Sequence, residues 1–227
     1  MTTILLTGFE PFGGDPVNPS GDAVHAVARS WQGPEVLVTE VLPVTFDGAA
    51  ARLRALVDAH RPDLVIATGL AGGRAAIGVE RIAVNLLDAR IPDNAGAQPI
   101  DAPSVAGAPA AAFSTLPVKA IAAAIRAAGI PAEVSHTAGT FVCNHVFFTA
   151  LDAVPAGVPA GFLHVPWTEG QAPATPGLPR DPELPAADIA EAVRIAIRTT
   201  RDAARTTDIR RAHPDLPDEN LAAGTLH

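Results

Sequence analysis

A chain of 227 residues has enough material for one α/β domain with a sizeable core. Hydrophobic residues make up 48% of it and charged ones 18%, which excludes a disordered polymer. The formal net charge of −8 disfavours a surface that tracks phosphates, so nucleic acid is not an expected partner.

Residues 3–7 (TILLT) are predicted as the first strand, and the segment before and after them has neither the basic start nor the long apolar run of a signal peptide. No stretch approaches the roughly 20 apolar residues that span a bilayer. The expectation is a cytoplasmic protein without membrane contact. Residues 21–30 carry apolar side chains on one helical face, and 36–44 reads as extended. Ala49, Leu53, Leu56 and Val57 have i, i+3/i+4 spacing, which predicts an amphipathic helix over 48–60. DLVIAT at 63–68 is a continuous apolar run of the kind that forms a strand buried on both faces.

ERIAVNLL at 80–87 predicts another strand, and 118–128 an Ala-rich helix with Gly129 placed at its C-terminus. Strand 132–137, helix 144–154, strand 161–165 and helix 187–205 complete the series. Such alternation implies a three-layer α/β/α sandwich around a twisted, mostly parallel central sheet. Residues 1–205 are expected to form a single catalytic domain, with 206–227 a loosely packed tail or an oligomer contact. The Pro/Gly/Ala-rich segments 91–117 and 166–185 exceed ordinary connections, and loops of that length are usually functional or mobile.

Cys143 is the chain's single cysteine, so it cannot form an intramolecular disulfide and is the one candidate thiol nucleophile. Two readings stand for it. Free Cys is among the most buried residue types and serves as packing. At the start of a helix, however, the dipole would lower its pKa and favour thiolate, while unpaired N–H groups could receive an oxyanion.

A thiol nucleophile needs a base, and His is the usual one. His25 and His60 fall on or at the end of surface helices, His213 and His227 in the tail, and His136 near a strand end. His145 lies inside the helix that follows Cys143, with its ring expected to point away from the thiol. His164, near the carboxyl end of a predicted strand, is the preferred base, because sites in open α/β sheets gather there. A third group must orient the imidazole. Glu80 is the candidate carboxylate, buried at the head of an apolar segment; equally, it could pair at the surface with Arg74 or Arg81.

TGFEPFGG and TGLAGGR each follow an apolar run, as phosphate-cradling loops do, but neither matches a nucleotide-binding pattern. His136, Cys143 and His145 match no standard zinc spacing, so no metal is expected.

Four segments nevertheless form an ordered set: TGFEPFGG–x3–NPS at 7–20, AGGR…ERIAVNLLDARIPDN at 71–94, AGTFVCNH at 138–145 and GFLHVPW at 161–167. Together they closely resemble the type I pyroglutamyl peptidases, from about residue 3 to about residue 200. The resemblance implies a cysteine peptidase that removes N-terminal pyroglutamate from peptides through a thioester. It assigns the triad to Glu80, Cys143 and His164. It also implies an α/β/α sandwich, no metal or cofactor, and a homo-oligomer, dimer or tetramer.

The resemblance further implies a pyroglutamyl pocket of aromatic side chains, here Phe9, Phe12 and Phe141, with Asn18 as the matching polar residue. That composition suits a flat, neutral lactam, which needs ring faces and a few hydrogen bonds. Arg90 is a candidate contact to substrate or oxyanion, or a structural salt bridge. One position departs from many relatives: Leu70 stands where they carry Gln. Two other functions fit the same alternation. A nucleoside phosphorylase-like enzyme would need phosphate and ignore thiol alkylation, and a non-enzymatic binder of pyroglutamate would carry an unreactive Cys143.

Overall fold

The computed structural model describes residues 2–173 and 181–212. In chain order the first elements are β1 (Thr3–Phe9), α1 (Pro19–Arg29), β2 (Val36–Leu42), α2 (Phe46–His60), β3 (Leu64–Leu70), β4 (Ile77–Glu80), β5 (Ile82–Val84) and β6 (Ala111–Phe113). They are followed by α3 (Val118–Ala127), β7 (Ala132–Ser135), α4 (Val142–Ala153), β8 (Ala160–Val165), β9 (Trp167–Thr168), β10 (Glu183–Leu184) and α5 (Ala186–Ala212).

The central sheet has the order β2-β1-β3-β8-β4-β7. Its pairings are parallel except one: β4 runs antiparallel to β8, with Gly78 opposite His164. Its strands are apolar on both faces because helices cover both. Alternate residues divide between two cores, as the period of two requires. Ile4, Leu6, Ile77, Val79, Leu163 and Val165 pack with α1, α3 and α5. Leu5, Val65, Ala67 and Phe162 pack with α2 and α4. The architecture is the three-layer sandwich with a mostly parallel sheet that the alternation implies.

Helix ends follow local chemistry. Asn18 caps α1 by accepting from the Ser20 N–H at 3.1 Å, and Pro19 takes the first helical position, where its missing N–H costs nothing. Gly129, just past α3, has φ +83°, a conformation that glycine adopts without Cβ strain.

Three details differ from the sequence reading. The strand predicted over 80–87 breaks at Arg81, so that β4 stays in the main sheet while β5 leaves it to pair with β6. Both pieces are apolar, and periodicity alone does not register a change of partner. The 91–117 segment is anchored rather than free. It contributes β6 and a bridge from Ala102 to Leu87, and Asp93 accepts backbone N–H groups from Phe46, Ala95 and Ala97. Finally, α4 starts at Val142, ahead of the predicted 144, and α5 continues to Ala212. Residues 213–227, including His213 and His227, lie outside the described residues.

Candidate active site

The period of two that builds the core also aims the polar groups. On β8, His164 shares the face of Phe162, toward α4; on β4, Gly78 and Glu80 point away from the face of Ile77 and Val79 and thus the same way. Because Gly78 sits opposite His164, Glu80 lies two residues along and diagonal to the imidazole. The His164 Nδ1 is 2.7 Å from Glu80 Oε1, and both side chains are buried. The ionised carboxylate fixes the proton on Nδ1 and leaves the Nε2 lone pair free.

Glu80 also meets Arg74, whose Nη1 donates to the same Oε1 at 2.8 Å. Glu80 is therefore the buried carboxylate of the first reading; the Arg74 partner of the alternative is present, but the pairing is not at the surface. Arg81 instead takes part through its backbone, in hydrogen bonds with Ser135 and Ser114.

Cys143 occupies the first turn of α4, whose N-cap, Phe141, supplies no side-chain cap. The leading N–H groups of that turn are thus not taken by a capping side chain. Asn144, fully buried, clamps the turn to β5: Nδ2 donates to Val84 O at 2.8 Å and Leu86 O at 3.2 Å, and Oδ1 accepts from Val84 N at 2.9 Å. The thiol rests over the end of β3. A Cβ on Gly69 would stand 2.8 Å from Sγ, and Gly69 is the register partner of His164. An absent side chain thus brings thiol and imidazole to neighbouring positions.

The expectation that the helix dipole favours thiolate is corrected here. Burial raises the Cys143 pKa, the negative charge of Glu80 raises it further, and the value reaches about 12 against the opposing pull of Arg74 and the helix N–H. Cys143 keeps some accessible surface on the cavity, but dense protein surrounds its sulfur. Burial likewise lowers the pKa of His164, outweighing the upward pull of Glu80. For Glu80, burial acts upward, but the hydrogen bonds and charge of His164, with help from Ser135 and Arg74, bring it below the usual carboxylate range. At neutral pH the resting pair is a neutral thiol beside a neutral imidazole, over an ionised carboxylate.

Cys143 and His164 open into a cavity of about 480 Å³. Phe9, Phe12, Asn18, Phe141 and Arg90 all line it, as does Leu70. Phe12 and Phe141 have ring centroids 5.2 Å apart, and Phe46, which the sequence reading did not single out, packs edge-on against Phe141 at 5.2 Å. Asn18 is largely committed to structure: beyond its cap, Oδ1 accepts from Ser20 Oγ and Nδ2 donates to Glu10 O. Arg90 is exposed at the cavity wall. Neighbouring backbone ties 88 to 140 in both directions, with Thr140 Oγ1 donating to Asp88 O at 2.7 Å.

The other histidines stand apart. His145 turns from the thiol to Ser104, 2.6 Å from Nδ1, and toward the Phe46 ring; His25, His60 and His136 are exposed. Of the two glycine-rich turns, TGFEPFGG supplies Phe9 and Phe12 to the cavity, and TGLAGGR supplies Gly69, Gly72 and Arg74 around Cys143, His164 and Glu80. Gly69, Arg74, Phe46 and Asn144 support the candidate site and were not assigned a part in it by the sequence reading. Gly69, Arg74 and Asn144 lay within quoted motifs, whereas nothing in the sequence marked Phe46.

Comparison with known proteins adds to this geometry. The family model described as pyroglutamyl peptidase matches residues 2–203. The pyrrolidone-carboxylate peptidase of Cupriavidus necator is 51% identical over 203 residues, covering 88% of this chain and 93% of its own. Pyrrolidone-carboxylate peptidase 1 of Ralstonia nicotianae is 49% identical over 219 residues, covering 95% of this chain and all of its own (100%). The crystal structure of Bacillus amyloliquefaciens pyroglutamyl peptidase I superposes with a TM-score of 0.83 at 42% identity, over 90% of this chain and 98% of that one. Pyrrolidone carboxyl peptidase from Thermococcus litoralis gives 0.86 at 39% identity, over 91% and 96%.

Proposed function

The chain belongs to the pyroglutamyl peptidase family, and from that premise we propose that Cys143, His164 and Glu80 carry out the hydrolysis. The enzyme is a cysteine peptidase of the type I pyroglutamyl class, cleaving the bond after an N-terminal pyroglutamyl residue. One observation carries the assignment of roles. The only thiol in the chain faces a cavity shared with His164, whose Nδ1 is held by a fully buried carboxylate.

Binding places the lactam ring among Phe9, Phe12 and Phe141, with the scissile carbonyl over Sγ. His164 Nε2 takes the thiol proton as sulfur attacks, so that charge separation is created only with substrate in place. The leading N–H groups of α4 stabilise the tetrahedral oxyanion, and one such donor is worth on the order of 10²–10³ in rate. Collapse breaks the C–N bond, and the Nε2 proton passes to the leaving amine. Water, deprotonated by the same imidazole, then hydrolyses the thioester and returns the proton to sulfur. Glu80 stabilises the imidazolium at each stage.

The test is release of a fluorogenic amine from a pyroglutamyl amide, with and without iodoacetamide pretreatment. Turnover lost on alkylation supports the assignment, as does a folded but inactive Cys143→Ala protein. Turnover that survives complete alkylation of the thiol, carried out at alkaline pH, or survives the substitution sinks it.

Among the described residues no helix is long and apolar enough to cross a membrane. The reading extends to a cytoplasmic homo-oligomer, a dimer or tetramer. An unpaired thiol suits a reducing compartment. Ile100 and Phe113, 70% and 69% exposed, offer apolar surface for a second copy. Light scattering of the purified protein and of Phe113→Ser would detect that assembly; a monomer at all concentrations would exclude it.

A further inference from the structure

We propose that Arg74 is a positioning residue of the triad, holding the Glu80 carboxylate in register with His164 and tethering it to the segment that carries the nucleophile. The proposal rests on the triad reading above. Three features carry it.

The first is the shared oxygen. Glu80 Oε1 accepts from both His164 Nδ1, at 2.7 Å, and Arg74 Nη1, at 2.8 Å, while Oε2 is buried without a hydrogen-bond partner among the described residues. A carboxylate held this way cannot rotate its unpartnered oxygen toward the imidazole without breaking two charge-assisted bonds. The second is the fork. Arg74 Nη2 donates to Thr137 O at 3.1 Å, in the connection that runs from β7 to Phe141 and Cys143. One guanidinium thus joins the β3–β4 turn, the carboxylate and the approach to α4. The third is Gly78. A Cβ there would lie 2.5 Å from Arg74 Nη1 but 3.5 Å from Glu80 Oε1 and 3.6 Å from the His164 Cβ. The missing side chain opposite His164 makes room for the guanidinium specifically.

The charge has a consequence for protons. The charged groups bearing on His164 are Glu80 from β4 and Arg74 from the turn after β3; Cys143 from α4, Asp15, Asp88 and Arg90 line the same cavity. Arg74 lowers the pKa of His164 and of Cys143, opposing Glu80 at both. Without it, His164 would hold its proton to higher pH and be available as a base over a narrower range.

The experiment measures kcat, KM and the pH dependence of kcat/KM for Arg74→Gln, Arg74→Lys and Gly78→Ala, with folding checked by circular dichroism. Arg74→Gln should lower kcat about ten-fold with KM little changed, through misorientation of the imidazole. Its acid limb should move to higher pH, and Arg74→Lys, which keeps the charge, should return that limb toward the wild-type position. Gly78→Ala, which displaces only the far end of Arg74, should move the limb in the same direction as Arg74→Gln, and it carries the test if Arg74→Gln does not fold. Wild-type acid limbs in the folded variants would overturn the proposal. Failure of the triad reading would appear separately, as activity surviving in Cys143→Ala.

Discussion

Gly69 lies directly beneath the sulfur of Cys143: a Cβ on it would stand 2.8 Å from Sγ and 2.8 Å from Phe162 Cζ. The proposed nucleophile therefore depends on a residue with no side chain, on the strand next to the one that carries the proposed base.

Gly69→Ala should displace the thiol, because Phe162 is fully buried and cannot yield. A shift of about 1 Å at a reacting atom costs roughly 10²-fold in rate. Overpacking should also cost about 1–3 kcal/mol of stability. Steady-state kinetics and a denaturant titration check both; an alanine variant with wild-type kcat would show that the contact is not limiting.

Phe141→Ala should raise KM more than it lowers kcat. Phe141 lines the cavity, and an aromatic face against a flat ring is worth about 0.5–1.5 kcal/mol, or up to roughly ten-fold in affinity. Competitive inhibition by 2-pyrrolidone, a bare lactam ring, should weaken by a similar factor. An unchanged inhibition constant would remove Phe141 from the ring pocket.

The resting thiol should be sluggish toward iodoacetamide near neutral pH. With the Cys143 pKa pushed up to about 12, chiefly by burial and then by Glu80, the alkylation rate should climb steadily with pH through the alkaline range. A rate plateau below pH 8 would instead indicate a preformed thiolate. A neutral resting thiol requires substrate to trigger the proton transfer to His164.

Stability should fall as pH drops from about 6.5, the ordinary histidine value. Burial holds His164 and His145 below that value, so over this window the unfolded chain binds protons that the folded one refuses. Glu80 adds a slope of the same sign at lower pH. Its carboxyl lies below the usual range when folded, and its contribution, present above that range, is lost as pH falls through the folded value. Denaturation midpoints from about pH 7.5 to 4.5 measure the histidine part of the slope, and midpoints at lower pH the Glu80 part. His145→Gln should flatten the part nearest pH 6, and an unchanged slope would exclude His145 as a source.

Much of this molecule was legible in the sequence because local chemistry dictates it. Continuous apolar runs became strands buried on both faces, amphipathic spacing became the helices over them, and Cys143 fell in the first turn of a helix. Motif resemblance pointed to Glu80, Cys143 and His164, the triad proposed above, without geometry. What remained open depended on contacts between distant segments. The break at Arg81 was invisible because β4 and β5 are equally apolar and differ only in partner. The thiol's protonation was misread from the helix dipole alone, since burial, the stronger effect here, exists only once the sheet and α4 close around the sulfur. Arg74 read as a surface partner for Glu80 until the single antiparallel pairing set Gly78 opposite His164 and made room for a guanidinium beside the carboxylate. Sequence specified which groups are present and which runs become strands and helices; only tertiary structure decided which group lies against which, because a charge or a thiol acquires its chemistry from neighbours that are remote along the chain.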